Sequence, residues 1–468
     1  MIYNDNDTIA AVSTPAGSGG IAIIRVSGQD AFSVADKIIS GSRSGVLSAF
    51  VTEMGDHTVA HGYVFDPESI AGGVPEMIDE CLVTKMEAPK TYTTENIVEI
   101  NSHGSFSTVT RTLELLLKAG ARAAQPGEFT KRAFLGGRID LSSAEAVMDL
   151  INAKTDNSRR AAISGLSGRT GRDVSGICDA LTKAMAGIDV SIEYPEYEFD
   201  EAAGADALNV LEEQTRKLKA LSSSYYQGKI AKEGVRMVIA GSPNAGKSTL
   251  MNLFCGADRS IVTDVPGTTR DIIEEQIRFF DFPVTVTDTA GIRSTSDIVE
   301  KIGVDRARDA VENADLVLYV IDASDPVYPE PGLEEGARKI LYVINKTDLN
   351  QDVSGIEEKL PEGSDPVKLS ALTGEGSEEL FEKIRKMFLL GSFDFTCEAV
   401  ITSERHKKLI DEALDLLELA AESKKKGLPL DFVAEDVRLA AGKLCEILGK
   451  NVSDEVVDNI FSRFCVGK

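Results

Sequence analysis

Residues 241 to 248 read GSPNAGKS, a G-x-x-x-x-G-K-S pattern. Glycines at that spacing let the backbone curl until several N–H groups face one anion, which suits a polyphosphate. Lys247 would bridge the β- and γ-phosphates, the Ser248 hydroxyl would hold Mg²⁺, and Ala245, Gly246 and Thr249 complete the cradle. A carboxylate that selects the base stands at Asp348 in NKTD (345–348), with Asn345 and Lys346 beside it. It can accept two N–H bonds from guanine, whereas adenine would leave it unpaired at a cost. SAL, Ser370 to Leu372 through Ala371, lies where a backbone N–H can meet guanine O6. DTAG (288–291) places Asp288 near the metal shell, with Thr289 and Ala290 leading to Gly291 as the γ-phosphate sensor. Together these motifs predict a GTP site. Ile292 follows, where Ras-like proteins carry the glutamine that orients water, so either hydrolysis is very slow or the polar group comes from elsewhere. Arg270 and Arg293 are not obvious arginine fingers. Asn244 leaves two readings open, a turn residue or a ligand for a monovalent cation in the arginine-finger position.

The elements needed to position these groups are legible as alternation. VRMVIAG precedes the glycine loop and a helix follows it. VTVTDTAG, ADLVLYVIDAS and KILYVINKTD each carry an apolar run to a functional turn, which predicts a mostly parallel sheet with helices on both faces. Upstream, GGIAIIRVSG (19–28) and IVEINSHG (97–104) read as strands, and TVTRTLELLLKAG (108–120) as a helix closed by Gly120. Helical periodicity fills about 129–230, broken at EYPEYEFDE, and returns after about 395. The expected fold is α/β and α: an α+β domain over 1–128, a helical domain over 129–232 and 391–468, and a nucleotide domain inserted at 233–390.

The 468 residues hold 50 basic against 75 acidic side chains, a net charge of −25. Such a surface does not grip nucleic acid unaided, so any nucleic-acid role is expected to be shared with a partner. Six scattered cysteines without a C-x-x-C pair suggest neither zinc nor a disulfide frame. No signal peptide or membrane span is expected, and the reading is cytoplasmic. Cys465 stands where a prenylation box would sit. Val466, Gly467 and Lys468 do not fit that box, and Asp454, Glu455 and Asp458 replace the basic run that would assist it. Val456, Val457, Ile460, Phe461 and Phe464 make an apolar stripe that would dock the last helix.

Four stretches resemble the MnmE (TrmE) family of tRNA-modifying GTPases: GSPNAGKST, TDVPGTTRD (263–271), PGEFTKRAFLGGRIDLSSAEAVMDLI (126–151) and the closing FCVGK. The resemblance spans nearly the whole chain and implies an N-terminal folate-binding and dimerising domain. It implies a K⁺-stimulated, dimerisation-activated GTPase that works with an FAD-dependent partner, MnmG. The pair would place an aminomethyl or carboxymethylaminomethyl group on C5 of wobble uridine 34, using 5-formyl- or 5,10-methylene-tetrahydrofolate. By position, Arg25, Glu99, Arg138 and Lys468 would contact folate. K⁺ would lie among Asn244, Thr263, Val265 and Thr268, with Asp264, Pro266 and Gly267 wrapping the nucleotide, and Ser248 and Thr269 would hold Mg²⁺. Glu300 would organise water in place of the glutamine missing at Ile292, and Cys465 would be a functional thiol near the folate. VEINSHGS lacks the second glycine of the family's H-G-G, and Gly136 stands where asparagine is frequent. A ribosome-assembly GTPase is the rival expectation, disfavoured by the single P-loop and the acidic C-terminal helices.

Overall fold

The structure is a computed structural model that describes residues 7–193, 200–256, 274–279, 282–288, 310–329, 339–350, 352–388 and 399–468. Two compact units are formed. One holds the chain through Met148 together with Val174–Cys178 and Gly442–Lys468, and the other holds Asp149–Asp173 and Asp179–Ala441.

In the first unit, strands β1 (Ile9–Val12), β2 (Gly19–Ser27), β3 (Ile39–Ser40), β4 (Thr58–Phe65), β5 (Met77–Met86), β6 (Ile97–Gly104) and β7 (Arg122–Ala123) form one sheet. Its order is β3-β4-β5-β6-β2-β1-β7. Period-two alternation decides what each face carries. Ile24 and Val26 of β2 and Val98 and Ile100 of β6 are fully buried, in one core with Val34, Leu115 and Leu116 from the helices Ala31–Asp36 and Phe106–Lys118. The residues between them, Arg25 and Glu99, must then occupy the opposite face, where the antiparallel register sets them side by side. Ser105, found where a second glycine was expected, caps the helix Phe106–Lys118 by accepting the Thr108 N–H at 3.1 Å. A second satellite core joins Leu141 and Ala144 to Val457, Phe461 and Phe464. Val456 departs from the expected stripe. It is 40% exposed, because the helix Asp454–Ser462 turns its Val457–Phe461 edge inward.

Glu128 is fully buried and opens the helix Glu128–Leu135. Its carboxylate takes Arg122 at 2.6 Å, the Gln125 N–H at 2.7 Å and Arg132 at 3.0 Å. Arg132 also reaches Asp7 and Glu95. Burial alone would raise the Glu128 carboxyl, but these donors outweigh it and hold it below the ordinary glutamate value. The same balance lowers Asp7. Cys81 has no such donors, and burial pushes its thiol up to about 12.

In the second unit, β8 (Val235–Gly241), β9 (Glu274–Phe279), β10 (Phe282–Asp288), β11 (Leu316–Asp322), β12 (Ile340–Asn345) and β13 (Val367–Lys368) form a sheet ordered β13-β12-β11-β8-β10-β9. All pairs are parallel except β10 with β9, an antiparallel edge that alternation had not announced. Every residue of β11 is buried. Leu316, Leu318 and Val320 enter one core and Val317, Tyr319 and Ile321 the other, as a sheet covered on both faces requires. The helices Asp200–Ser223 and Glu404–Lys425 pack together in this unit, tied by Ser222 to Asp411 at 2.8 Å.

Because folding lowers the Glu128 and Asp7 carboxyls, the stability they supply is present above their unfolded values and is lost as pH falls through the lower folded ones. Glu128→Gln, leaving the buried Arg132 and the half-exposed Arg122 short of charge, should cost about 3 kcal/mol at pH 7. In thermal unfolding of the full chain, the gap between wild type and variant should narrow as pH drops below about 4. A gap independent of pH would refute this role.

Candidate functional site

The β8 strand delivers Gly241 into a turn that no side chain would permit. A Cβ there would lie 2.3 Å from the Val320 carbonyl oxygen, and φ is +141°. Gly246 is equally constrained, at φ +94° and 2.2 Å from Asn345 Nδ2. Asn244 sits between them at φ 65°, a left-handed conformation that asparagine tolerates, with its side chain exposed. The helix Lys247–Gly256 starts at once, so its N-terminal N–H groups join the loop in facing an anion. Lys247 lies across the loop and donates to the carbonyls of Gly241 at 3.0 Å and Ser242 at 2.8 Å. Ser248 and Thr249 are exposed at the helix start. The serine hydroxyl is the hard oxygen donor that Mg²⁺ prefers.

Asn345 joins three motifs. It is 2% exposed, its Nδ2 donates to the Ala245 carbonyl at 2.8 Å, and its Oδ1 accepts the Ala371 N–H at 2.9 Å. The P-loop and the 370–372 turn are thus held by one amide at the end of β12. Ser370 Oγ donates to Asp348 Oδ1 at 2.7 Å, which orients the carboxylate expected to read guanine. Lys346, at φ 64°, places its ammonium 2.6 Å from Asp322 Oδ2. Burial would raise Asp322, but Lys346 and Ser324 hold it below the usual aspartate value. Leu372 is 81% exposed. Asp322 was not singled out in the sequence, although it closes the apolar run of ADLVLYVIDAS. The expected groups Thr263, Asp264, Val265, Pro266, Gly267, Thr268, Thr269, Thr289, Ala290, Gly291 and Glu300 lie outside the described residues, as do Arg270, Ile292 and Arg293. Of Asp288 the backbone is described, as the last residue of β10.

A second locus forms in the first unit. Arg25 pairs with Glu99 at 2.8 Å, with side chains 16% and 21% exposed. Its guanidinium lies 5.5 Å from the ring centres of both Tyr92 and Phe129. Arg138 covers the same Tyr92 ring at 4.9 Å and donates to the Tyr92 carbonyl at 3.0 Å. The final residues arrive beside them. The Gly127 N–H donates to the Cys465 carbonyl at 3.3 Å and the Phe129 N–H to the Lys468 carbonyl at 3.1 Å. The Gly467 carbonyl accepts from Ser13 at 3.0 Å and from Arg25 at 3.5 Å. At φ +91° with a hypothetical Cβ 2.2 Å from the Val12 oxygen, position 467 accepts only glycine. Arg25, Glu99, Arg138 and Lys468 are therefore brought together. Tyr92 and Phe129, which organise them, were missed, since isolated aromatics carry no periodic signal. The glycine at 136 has a local reason, because a Cβ there would meet Thr94 Oγ1 at 2.2 Å. Cys465 is exposed. Its neighbours Val466 and Lys468 are bonded into the fold against Pro126 and Phe129.

Among the described residues no cluster of His, Cys, Asp or Glu is arranged to hold a metal, and no helix is long and apolar enough to cross a membrane. The family model for the GTP-binding protein TrmE N-terminus matches residues 8–138, and that for the MnmE helical domain matches 141–465. A tRNA modification GTPase MnmE of Acetivibrio thermocellus is 44% identical over 99% of both chains. One from Bacillus licheniformis is 42% identical over 99% of this chain and all of its own. The G domain of the T. maritima FeoB iron transporter is 31% identical over 32% of this chain and 97% of its own. The TM-score of that match is 0.26.

Asn345→Ala removes two buried hydrogen bonds of about 1 kcal/mol each, so it should weaken binding of a fluorescent GDP analogue by roughly 10- to 100-fold. Circular dichroism should be unchanged. Wild-type affinity in the variant would show that the amide does not hold the two loops in their binding geometry.

Proposed function

This chain belongs to the MnmE family of tRNA modification GTPases, and from that premise we propose a K⁺-stimulated, dimerisation-activated GTP hydrolase that modifies C5 of wobble uridine 34 in tRNA. It hydrolyses GTP through the P-loop, and the modification itself joins an FAD-dependent partner of the MnmG kind and a tetrahydrofolate one-carbon donor. The reading divides the chain into a folate-binding domain over 1–128, a helical domain over 129–232 and 391–468, and a G domain over 233–390. A cytoplasmic homodimer, with tRNA gripped largely by the partner, accords with the net charge of −25.

The observation that carries the folate reading is the seating of the last residues on the Arg25–Glu99 pair. A tetrahydrofolate offers a flat pterin with donor edges and a glutamyl tail with carboxylates. Glu99 would accept from the pterin edge, and Arg25, Arg138 and Lys468 suit the anionic tail. Cys465 stands exposed at the same end of the chain and would be a functional thiol beside the folate.

At the G domain, Lys247 would leave the Gly241 and Ser242 carbonyls for the phosphates as nucleotide enters. Asp348, steered by Ser370, would select guanine. Bound Mg²⁺, at Ser248 with Thr269, would neutralise charge on the β- and γ-phosphates. Asn244, exposed in the loop at φ 65°, would offer its amide oxygen to K⁺. Thr263, the Val265 carbonyl and Thr268 would complete that shell, and Glu300 would orient the attacking water.

GTP hydrolysis by the full chain, measured in KCl and in NaCl at equal ionic strength, tests the cation. Charge at that position is worth about 10³- to 10⁵-fold for arginine fingers, so a large K⁺ activation is expected and Asn244→Ala should abolish it. Equal slow rates in both salts would overturn the mechanism. For the folate site, Arg25→Ala should weaken 5-formyltetrahydrofolate binding at least tenfold in a calorimetric titration, with GTP hydrolysis intact. Unchanged folate affinity would remove Arg25 from the site.

A further inference from the structure

Two cysteines far apart in sequence meet inside the first unit. Cys178, on the helix Arg169–Glu193, and Cys445, on the helix Leu430–Ile447, stand with their sulfurs 3.8 Å apart although 267 positions separate them. Both are reduced. Cys178 is 4% exposed, whereas Cys445 is only partly covered. We infer that Cys178 and Cys445 form a reversible modification site, a dithiol that closes to an intramolecular disulfide when a small-molecule disulfide accumulates.

The distance permits closure. A disulfide bond needs about 2.04 Å between sulfurs, a change within reach of side-chain rotation on helices that already bring the two thiols into contact. The difference in exposure sets the order of events. Cys445, as thiolate, attacks one sulfur of the small disulfide, forms a mixed disulfide and releases one small thiol. The Cys178 thiolate then attacks the Cys445 sulfur, forms the protein disulfide and expels the second small thiol. Two protein thiols lose their protons and two electrons, and one small disulfide is reduced to two thiols. The second step happens within the chain, so the burial of Cys178 does not obstruct it. That burial also protects Cys178 from direct attack by a bulky reagent, and Cys81, with its thiol near 12, is no competitor. In a reducing cytosol the pair stays open, as transient intracellular disulfides do.

The bond would gather one helix of the middle of the chain and the helix that leads into the C-terminal segment. All of β8 to β13 lies within the closed loop. Oxidation would therefore fix the start and the end of the excursion that carries the nucleotide site.

The full-length protein, treated under native conditions with oxidised glutathione and then alkylated, tests this by intact mass and peptide mapping. The expected product is about 2 Da lighter, the two thiol hydrogens, with one peptide pair linking Cys178 to Cys445 and full reversal by dithiothreitol. Cys178→Ala should trap a glutathione adduct on Cys445, and Cys445→Ser should leave Cys178 unmodified. Mapping each peptide keeps reaction at exposed Cys465 from being mistaken for the bond. A glutathione adduct that persists on wild-type Cys445, a bond only between two chains, or no reaction at either sulfur would overturn the inference.

Discussion

A carboxylate without any exposed surface must be answered by its neighbours, and much of the first unit follows from how Glu128 is answered. Arg122 and Arg132 converge on it, and Arg132 continues to Asp7 and Glu95. Glu95 in turn takes the Ser27 hydroxyl at 2.7 Å, and Thr91 bonds the Glu95 carbonyl, so the 91–95 loop is pinned at both ends. Tyr92 rides on that loop, between Arg25 and Arg138. One residue beyond Glu128, Phe129 supplies the N–H that receives the end of the chain. Arg25, Tyr92 and Arg138 thus take their places from a charge network centred one layer away, on Glu128.

The nucleotide locus is organised differently, around a neutral amide. Asn345 satisfies one carbonyl and one N–H across three segments, and two glycines exist to let it and β11 approach the loop. Lone polar groups in such a place would be costly, whereas a fully paired amide fixes geometry. Loops already held in register lose little further freedom when a ligand arrives.

What could be read beforehand was what repeats or what has a fixed spacing. The strands around Ile24 and Ile100, the buried run of β11 and the order of the guanine motifs all announced themselves, because burial on one or two faces writes a period into the chain. The strands β4 and β5 did not, since His61, Gly62, Asp79, Glu80 and Lys85 interrupt their alternation. Tyr92 and Phe129 matter through contacts made across the fold, which leave no local mark. The Val456 error came from treating a nine-residue helix as a wide apolar stripe, when its inward edge is Val457 and Phe461 with Ile460 packed beside them. Gly136, found where asparagine is frequent in the family, proves to be the space that Thr94 needs. The meeting of Cys178 with Cys445 was invisible to any spacing rule.

The hydrogen bonds between residues 126–129 and 465–468 also impose an order of assembly. A ribosome adds roughly 5–20 residues per second, so the N-terminal sheet emerges tens of seconds before its last partners exist. Through that interval the Phe129 and Gly127 N–H groups and the Ser13 hydroxyl lack the carbonyls to which they donate. The Arg25 locus is complete only once residue 468 has cleared the exit tunnel. Chains released early would hold a formed P-loop but an unfinished N-terminal unit. Only a chain made through residue 468 therefore carries the finished Arg25 locus.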